Sequence, residues 1–174
     1  MRLLAVILLA GAAACSAAQP APESYSALLK DDGHTWCVYK DPAEFKSAAA
    51  TLKPTESARV DYESGRLADL TYQVEAESGD WIVVDKYTPS KGDILLRRAN
   101  LLAQENLQVI QEAAIHGGKA GDLHVVSVTT LEGKKAELSN VDFPAVPVKT
   151  SLSTLPFVQL IAEMRSRSAG KLCK

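Results

Sequence analysis

Three cysteines and three histidines are the first residues in this chain to test for chemistry. Cys37 and Cys173 stand near the two ends of the sequence, with no CxxC spacing to suggest a redox pair or half a zinc site. Left as a pair in an oxidising compartment, they read as a disulfide tying the ends of one domain together. His34 lies three residues before Cys37, a spacing that suits two metal ligands, yet no second pair accompanies it and HExxH is absent. His116, beside Gly117-Gly118, reads as a helix-end or loop residue, and His124, between Leu123 and Val125, as a strand residue. No GxSxG elbow is present, and Gly117, Gly118 and Gly121 precede a strand rather than a phosphate-binding helix. Glu75 and Glu77 would share one strand face about 7 Å apart by strand rise. That separation approaches the spacing of glycosidase carboxylates, but a solvated strand face explains it more simply. No catalytic, metal-binding or cofactor-binding residue is therefore assigned, and the chain reads as non-enzymatic. The aromatic residues Trp36, Tyr39, Tyr62, Tyr72, Trp81 and Tyr87 concentrate on β-prone segments. Core is their first explanation, with Trp36, Tyr72 and Trp81 as candidate ligand-facing side chains.

The third cysteine belongs to a different kind of segment. Residues 1–14, MRLLAVILLAGAAA, carry one positive charge, a short apolar run and small residues, the pattern of a secretory signal. Residues 3–14 are too few to span a bilayer, which takes about 20 apolar residues. Ser16-Ala17-Ala18 before Gln19 offers small residues where a general signal peptidase cuts. Alternatively, Ala12-Ala13-Ala14-Cys15 resembles the bacterial lipobox, with Ala12 where that pattern prefers Leu. The resemblance implies acylation of Cys15, and Ser16 after it implies outer-membrane sorting. Either route removes Cys15 from the thiol pool. The expected organisation is a signal peptide over 1–18, a tether and entry loop over 19–33, and a single globular domain over 34–174. The protein is expected to be exported to the periplasm or medium, or anchored at Cys15 as an outer-membrane lipoprotein. No transmembrane helix is expected in the mature chain.

The bulk composition excludes some partners. The 174 residues carry a formal net charge of −2, and no run of Lys or Arg suggests a nucleic-acid surface. Hydrophobic residues at 47% and charged ones at 23% are ordinary for a globular domain.

These residues must be positioned by local elements. HTWCVY (34–39) is β-prone. Asp41-Pro42 suits a helix start, predicting a helix over 42–52. Two β-prone segments flank Glu63-Ser64-Gly65-Arg66, and WIVVDKYTP follows, predicting an antiparallel meander over 57–88. Placed at 100° per residue, the apolar residues of 93–115 fall mostly in one arc, predicting a long amphipathic helix. The rival is a strand pair, 94–102 and 107–115, turning at 103–106. LHVVSVTTL (123–131) reads as a strand, and Pro144 and Pro147 leave at most an edge strand over 136–152. Thr154 is the expected cap of a last helix over 154–168, with Phe157, Leu160, Ile161 and Met164 buried.

The expected fold is thus α+β: an antiparallel sheet of five or six strands packed by helices over 42–52, 93–115 and 154–168. If 93–115 is a hairpin, it becomes a larger β-meander. The expected function is a non-enzymatic envelope protein that binds a partner or supports an assembly. The alternatives are a periplasmic carrier of an apolar small molecule and a small hydrolase whose site carries no recognisable motif.

Overall fold

The computed structural model describes residues 21–139 and 141–174. The expected signal peptide and Cys15 lie outside the described residues. The elements are β1 (Glu23–Leu29), β2 (Trp36–Tyr39), α1 (Pro42–Leu52), β3 (Glu56–Glu63), β4 (Arg66–Glu75), β5 (Trp81–Ser90), β6 (Asp93–Leu102), β7 (Leu107–His116), β8 (Lys119–Ala120), β9 (His124–Thr130), α2 (Pro156–Arg167) and β10 (Lys171–Cys173). They form one antiparallel sheet of ten strands in the order β10-β2-β1-β3-β4-β5-β6-β7, with β8 and β9 both on the far side of β7.

This corrects the expected α+β architecture of five or six strands and three helices. Two short helices accompany a sheet twice as wide. The long helix over 93–115 is absent: the stretch is the β6–β7 hairpin, paired from Ile94↔Ile115 to Leu102↔Leu107. Asn106 takes the left-handed conformation at its turn, with φ 53°, which Asn tolerates better than most side chains. Leu96, Arg98, Asn100 and Leu102 are buried on β6, and Val109, Gln111, Ala113 and Ile115 on β7. The burial has period two. Polar residues at three buried positions, and Leu95, Leu101 and Ile110 on the opposite face, disguise that period as a helical one.

The stretch 19–33 is also more than a tether. Residues 23–29 are β1, an interior strand between β2 and β3. The meander over 57–88 is β3–β5, with Ser64 (φ 50°) and Gly65 (φ 77°) supplying the two left-handed positions that a tight hairpin turn needs. Asp41 caps α1, its carboxylate accepting from the Ala43 amide at 2.7 Å, and Pro42 fills the first helical position, where no amide partner is required. The α1 face of Phe45, Ala48, Ala49 and Leu52 packs over Leu28, Cys37 and Tyr39. This is the outer face of the sheet.

The inner face carries the main core. Tyr25, Ala27, Trp36, Val38, Val60, Leu70, Tyr72, Tyr87 and Leu96 meet Phe157, Leu160, Ile161 and Met164 of α2. The α2 cap is Leu155, which has no side-chain capping bond. Thr154 instead closes a single 3-10 turn, Leu152–Thr154, by donating to the Ser151 carbonyl at 2.8 Å. The chain then returns as β10 and pairs with β2, placing Cys173 directly opposite Cys37. Their sulfurs lie 2.09 Å apart, at disulfide distance, across a sequence separation of 136 residues. Closing a loop of that length is worth on the order of 4–5 kcal/mol in the chain-entropy model.

Candidate functional site

Two surfaces of β5–β7 concentrate what is chemically distinctive, one on each face of the sheet. On the inner face, strand alternation turns Asp85 and Tyr87 of β5, Arg98 and Asn100 of β6, and Gln111 of β7 to the same side. Asp85 and Arg98 are side by side in register. The Arg98 Nε and Nη2 atoms donate to the two Asp85 oxygens at 2.7 and 2.8 Å, a bidentate pair. The side chains are 6% and 1% exposed. The third guanidinium nitrogen, Nη1, donates to the Val146 carbonyl at 2.9 Å. The Tyr87 hydroxyl donates to Asp85 at 3.1 Å and accepts from the Lys149 amide at 3.0 Å. Asn100 donates to the Gln111 side-chain oxygen at 2.8 Å.

The segment 144–149, which accepts from Arg98 at Val146 and donates to Tyr87 from the Lys149 amide, has no strand pairing of its own; Pro144 and Pro147 lack the amides for it. The buried cluster therefore replaces the missing ladder and fastens this strap over the sheet. Burial alone would lower the Arg98 pKa, but bonding to the Asp85 carboxylate overrides it and leaves Arg98 raised. Burial first, then the Asp85 charge, holds the Tyr87 hydroxyl above the ordinary phenol range. Each guanidinium nitrogen and both carboxylate oxygens are occupied. Among the described residues no buried side-chain nitrogen or oxygen lacks a partner. The cluster can hold a segment in place, and it offers no free base or nucleophile.

The candidate ligand-facing aromatics do not converge. Trp36 and Tyr72 are buried, and both pack on Phe157, with ring centroids at 4.8 and 6.0 Å. The Tyr72 hydroxyl donates to Glu56, and burial followed by this bond raises its pKa. Trp81 lies apart, at the rim of an open hollow of about 270 Å3 shared with Leu102, Asp142 and Phe143. The histidines are dispersed and exposed: His34 in the turn before β2, His116 at the end of β7 against Asp93, and His124 at the start of β9. Among the described residues no three His, Cys, Asp or Glu side chains gather as a metal site. Glu75 ends β4 and Glu77 lies in the turn beyond it. Both line an open groove of about 560 Å3 with Phe45, Ala49 and Lys53 of the α1 side.

The outer face of β5–β7 is the second surface. Cross-strand registers build it in rows: Gln73–Val84–Ala99–Ile110–Ser127 in the centre, Glu75–Ile82–Leu101–Gln108–Thr129 on one side, and Thr71–Lys86–Arg97–Glu112–His124 on the other. Thr88–Leu95–Ala114 follows, with Leu95 47% exposed. α1 packs on β1 and β2, and α2 on β2 and β10. Among the described residues neither helix lies over this apolar patch. Lys86 and Arg97 make loose ion pairs along its border, with Asp69 at 3.5 Å and Glu112 at 3.6 Å.

No protein-family model, curated protein or solved structure matches this chain. No helix among the described residues is long and apolar enough to cross a membrane.

Neither surface was found from sequence motifs. The signal that could have found both is the period-two alternation of 94–102 and 107–115, which sets Arg98, Asn100 and Gln111 against Ala99, Leu101 and Ile110.

Proposed function

We propose that this protein is an exported bacterial envelope protein with a non-enzymatic binding or assembly role. The observation that carries the proposal is the apolar patch of half-buried Ile82, Val84, Leu101 and Ile110 on the outer face of β5–β7, over which neither helix lies among the described residues, with the exposed Leu95 beyond the Lys86–Arg97 row. Contiguous apolar surface of this kind, rimmed by charge, is the usual mark of a contact with another macromolecule. Export is supported by the secretory pattern of residues 1–14 and by cysteines at disulfide distance, a pairing that persists in oxidising compartments. The mature chain begins at Gln19, or at an acylated Cys15. The inner face, where a carried apolar molecule would sit, is filled by α2 and the 144–149 strap.

The test is photo-crosslinking in intact cells. A benzoyl-phenylalanine placed at Val84 is expected to give discrete adducts, and one placed at the exposed Glu44 of α1 is expected to give none. Absence of any adduct from Val84, Leu95 and Leu101 alike would overturn the proposal.

A further inference from the structure

We infer that the outer face of β5–β7 is where two copies of this chain associate, sheet against sheet. The inference rests on the binding reading of that face and names its occupant.

Size is the first argument. β4–β7 with β9 span about 24 Å across at strand spacing, and the rows run about 25 Å along the strands. That is roughly 600 Å2 per copy and roughly 1,200 Å2 in total, at the lower edge of what a specific interface needs. Both copies offer a pleated surface with an apolar centre at Ile82, Val84, Ala99, Leu101 and Ile110 and polar flanks on β4 and β9, and pleated faces pack on one another at about −30° in a sandwich.

Charge supplies the orientation. Along the strands the charge is uneven: Glu75, Glu77 and Asp80 lie at one end, and beyond the centre lies the Lys86–Arg97 row, loosely paired with Asp69 and Glu112. A two-fold axis running across the strands reverses their direction in the second copy. The central Val84–Ala99–Ile110 row then meets itself. The Ile82–Leu101 row of each copy meets the Lys86–Arg97 row of the other, and Glu75 comes beside the opposing Lys86. Lys86 and Arg97 have more than half of their side-chain surface exposed. Their aliphatic stems can cover Ile82 and Leu101 while the charged heads re-pair. A symmetric contact must be self-complementary in this way.

α1 does not obstruct the approach. It stands on β1 and β2, three to four strands from β5, and comes near the face only at its β4 edge, where Phe45 and Ala49 share a groove with Glu75. Twist of about 20–25° per strand turns the α1 part of the outer face aside from β5 by roughly 60–100°.

Sedimentation equilibrium of the purified, oxidised domain tests the inference. The expected result is a reversible dimer with a dissociation constant in the micromolar range, weakened by salt. Val84→Arg is expected to weaken it at least about 100-fold, because it buries an unpaired charge. Leu95→Glu gives the same reading at an exposed position where folding is not at stake. Lys86→Glu is expected to weaken association about tenfold, and adding Glu75→Lys to restore most of it. A wild-type chain that stays monomeric at 200 μM overturns the inference, as does a dimer indifferent to both Val84→Arg and Leu95→Glu. A monomer whose Val84 crosslinks to a different protein in cells refutes self-association and leaves the binding reading standing. A monomer with no adduct refutes both.

Discussion

Replacing Arg98 by Met removes the guanidinium and keeps most of the volume. The structure says what is stranded. Asp85, 1% exposed, loses both short bonds from Arg98, at 2.7 and 2.8 Å, and retains one from Tyr87 at 3.1 Å. The Val146 carbonyl loses its 2.9 Å donor. Breaking a buried pair from one side costs about 3–5 kcal/mol, most of it the uncompensated charge. That is a fifth or more of the about 5–15 kcal/mol that holds a typical domain together. For a domain of this size the loss corresponds to a drop in Tm of roughly 6–20 °C. Urea unfolding with the disulfide intact measures it, and limited proteolysis locates it: cleavage should appear first within 141–149, the strap the cluster holds. The double variant Asp85→Leu, Arg98→Met removes both charges and should recover most of the loss, because the pair itself contributes little net stability. A single-variant loss under about 1 kcal/mol, below the penalty for one stranded buried group, would refute the reasoning. So would a double variant as unstable as Arg98→Met alone.

Other consequences are as direct. Cys37→Ser with Cys173→Ser should lower stability by on the order of 4–5 kcal/mol, read from unfolding curves, and the oxidised wild type should take no alkylating reagent until reduced. Burial, then the bond to Glu23, pushes the Tyr25 hydroxyl up to about 12 from an ordinary 10.0. Its contribution is therefore complete below pH 10 and lost as pH rises toward 12. Thermal melts between pH 9 and 12 should fall across that window, and Tyr25→Phe should flatten the fall. Ser168 ends α2 in the left-handed conformation, with φ 52°. Ser168→Gly should raise stability by about 0.5–1 kcal/mol in the same unfolding assay.

Where local signals agreed with the tertiary environment, the sequence was legible. Asp41-Pro42 announced α1, Ser64-Gly65 announced a hairpin, and Phe157, Leu160, Ile161 and Met164 announced the buried stripe of α2. The region 93–115 was not legible as strands, because its alternation is written in two alphabets. The inner face buries Arg98, Asn100 and Gln111, which partner one another, Asp85 and the backbone, while the outer face shows Leu95, Leu101 and Ile110. Counting apolar residues as buried and polar ones as exposed inverts half the positions, and Leu, Ala, Gln and Glu add a local preference for helix. β1 was hidden differently: Tyr25, Ala27 and Leu29 alternate inward, but Leu28 also faces apolar surface because α1 covers the other side there. The candidate sites stayed invisible for the same reason, since both are built from residues opposite one another in register and far apart in sequence.

The pairing of β10 with β2 sets an order in time. The neighbour of β2 on that side is the last strand to be made, so β2 waits with an open edge for almost the whole length of the chain. At about 5–20 residues per second, the 136 residues from Cys37 to Cys173 take roughly 7–27 s to synthesise. Through that interval Cys37 is a thiol without its partner, and Cys15 is the nearest other cysteine in the sequence. If the protein is exported as proposed, early removal or acylation of Cys15 would leave oxidation a single correct outcome.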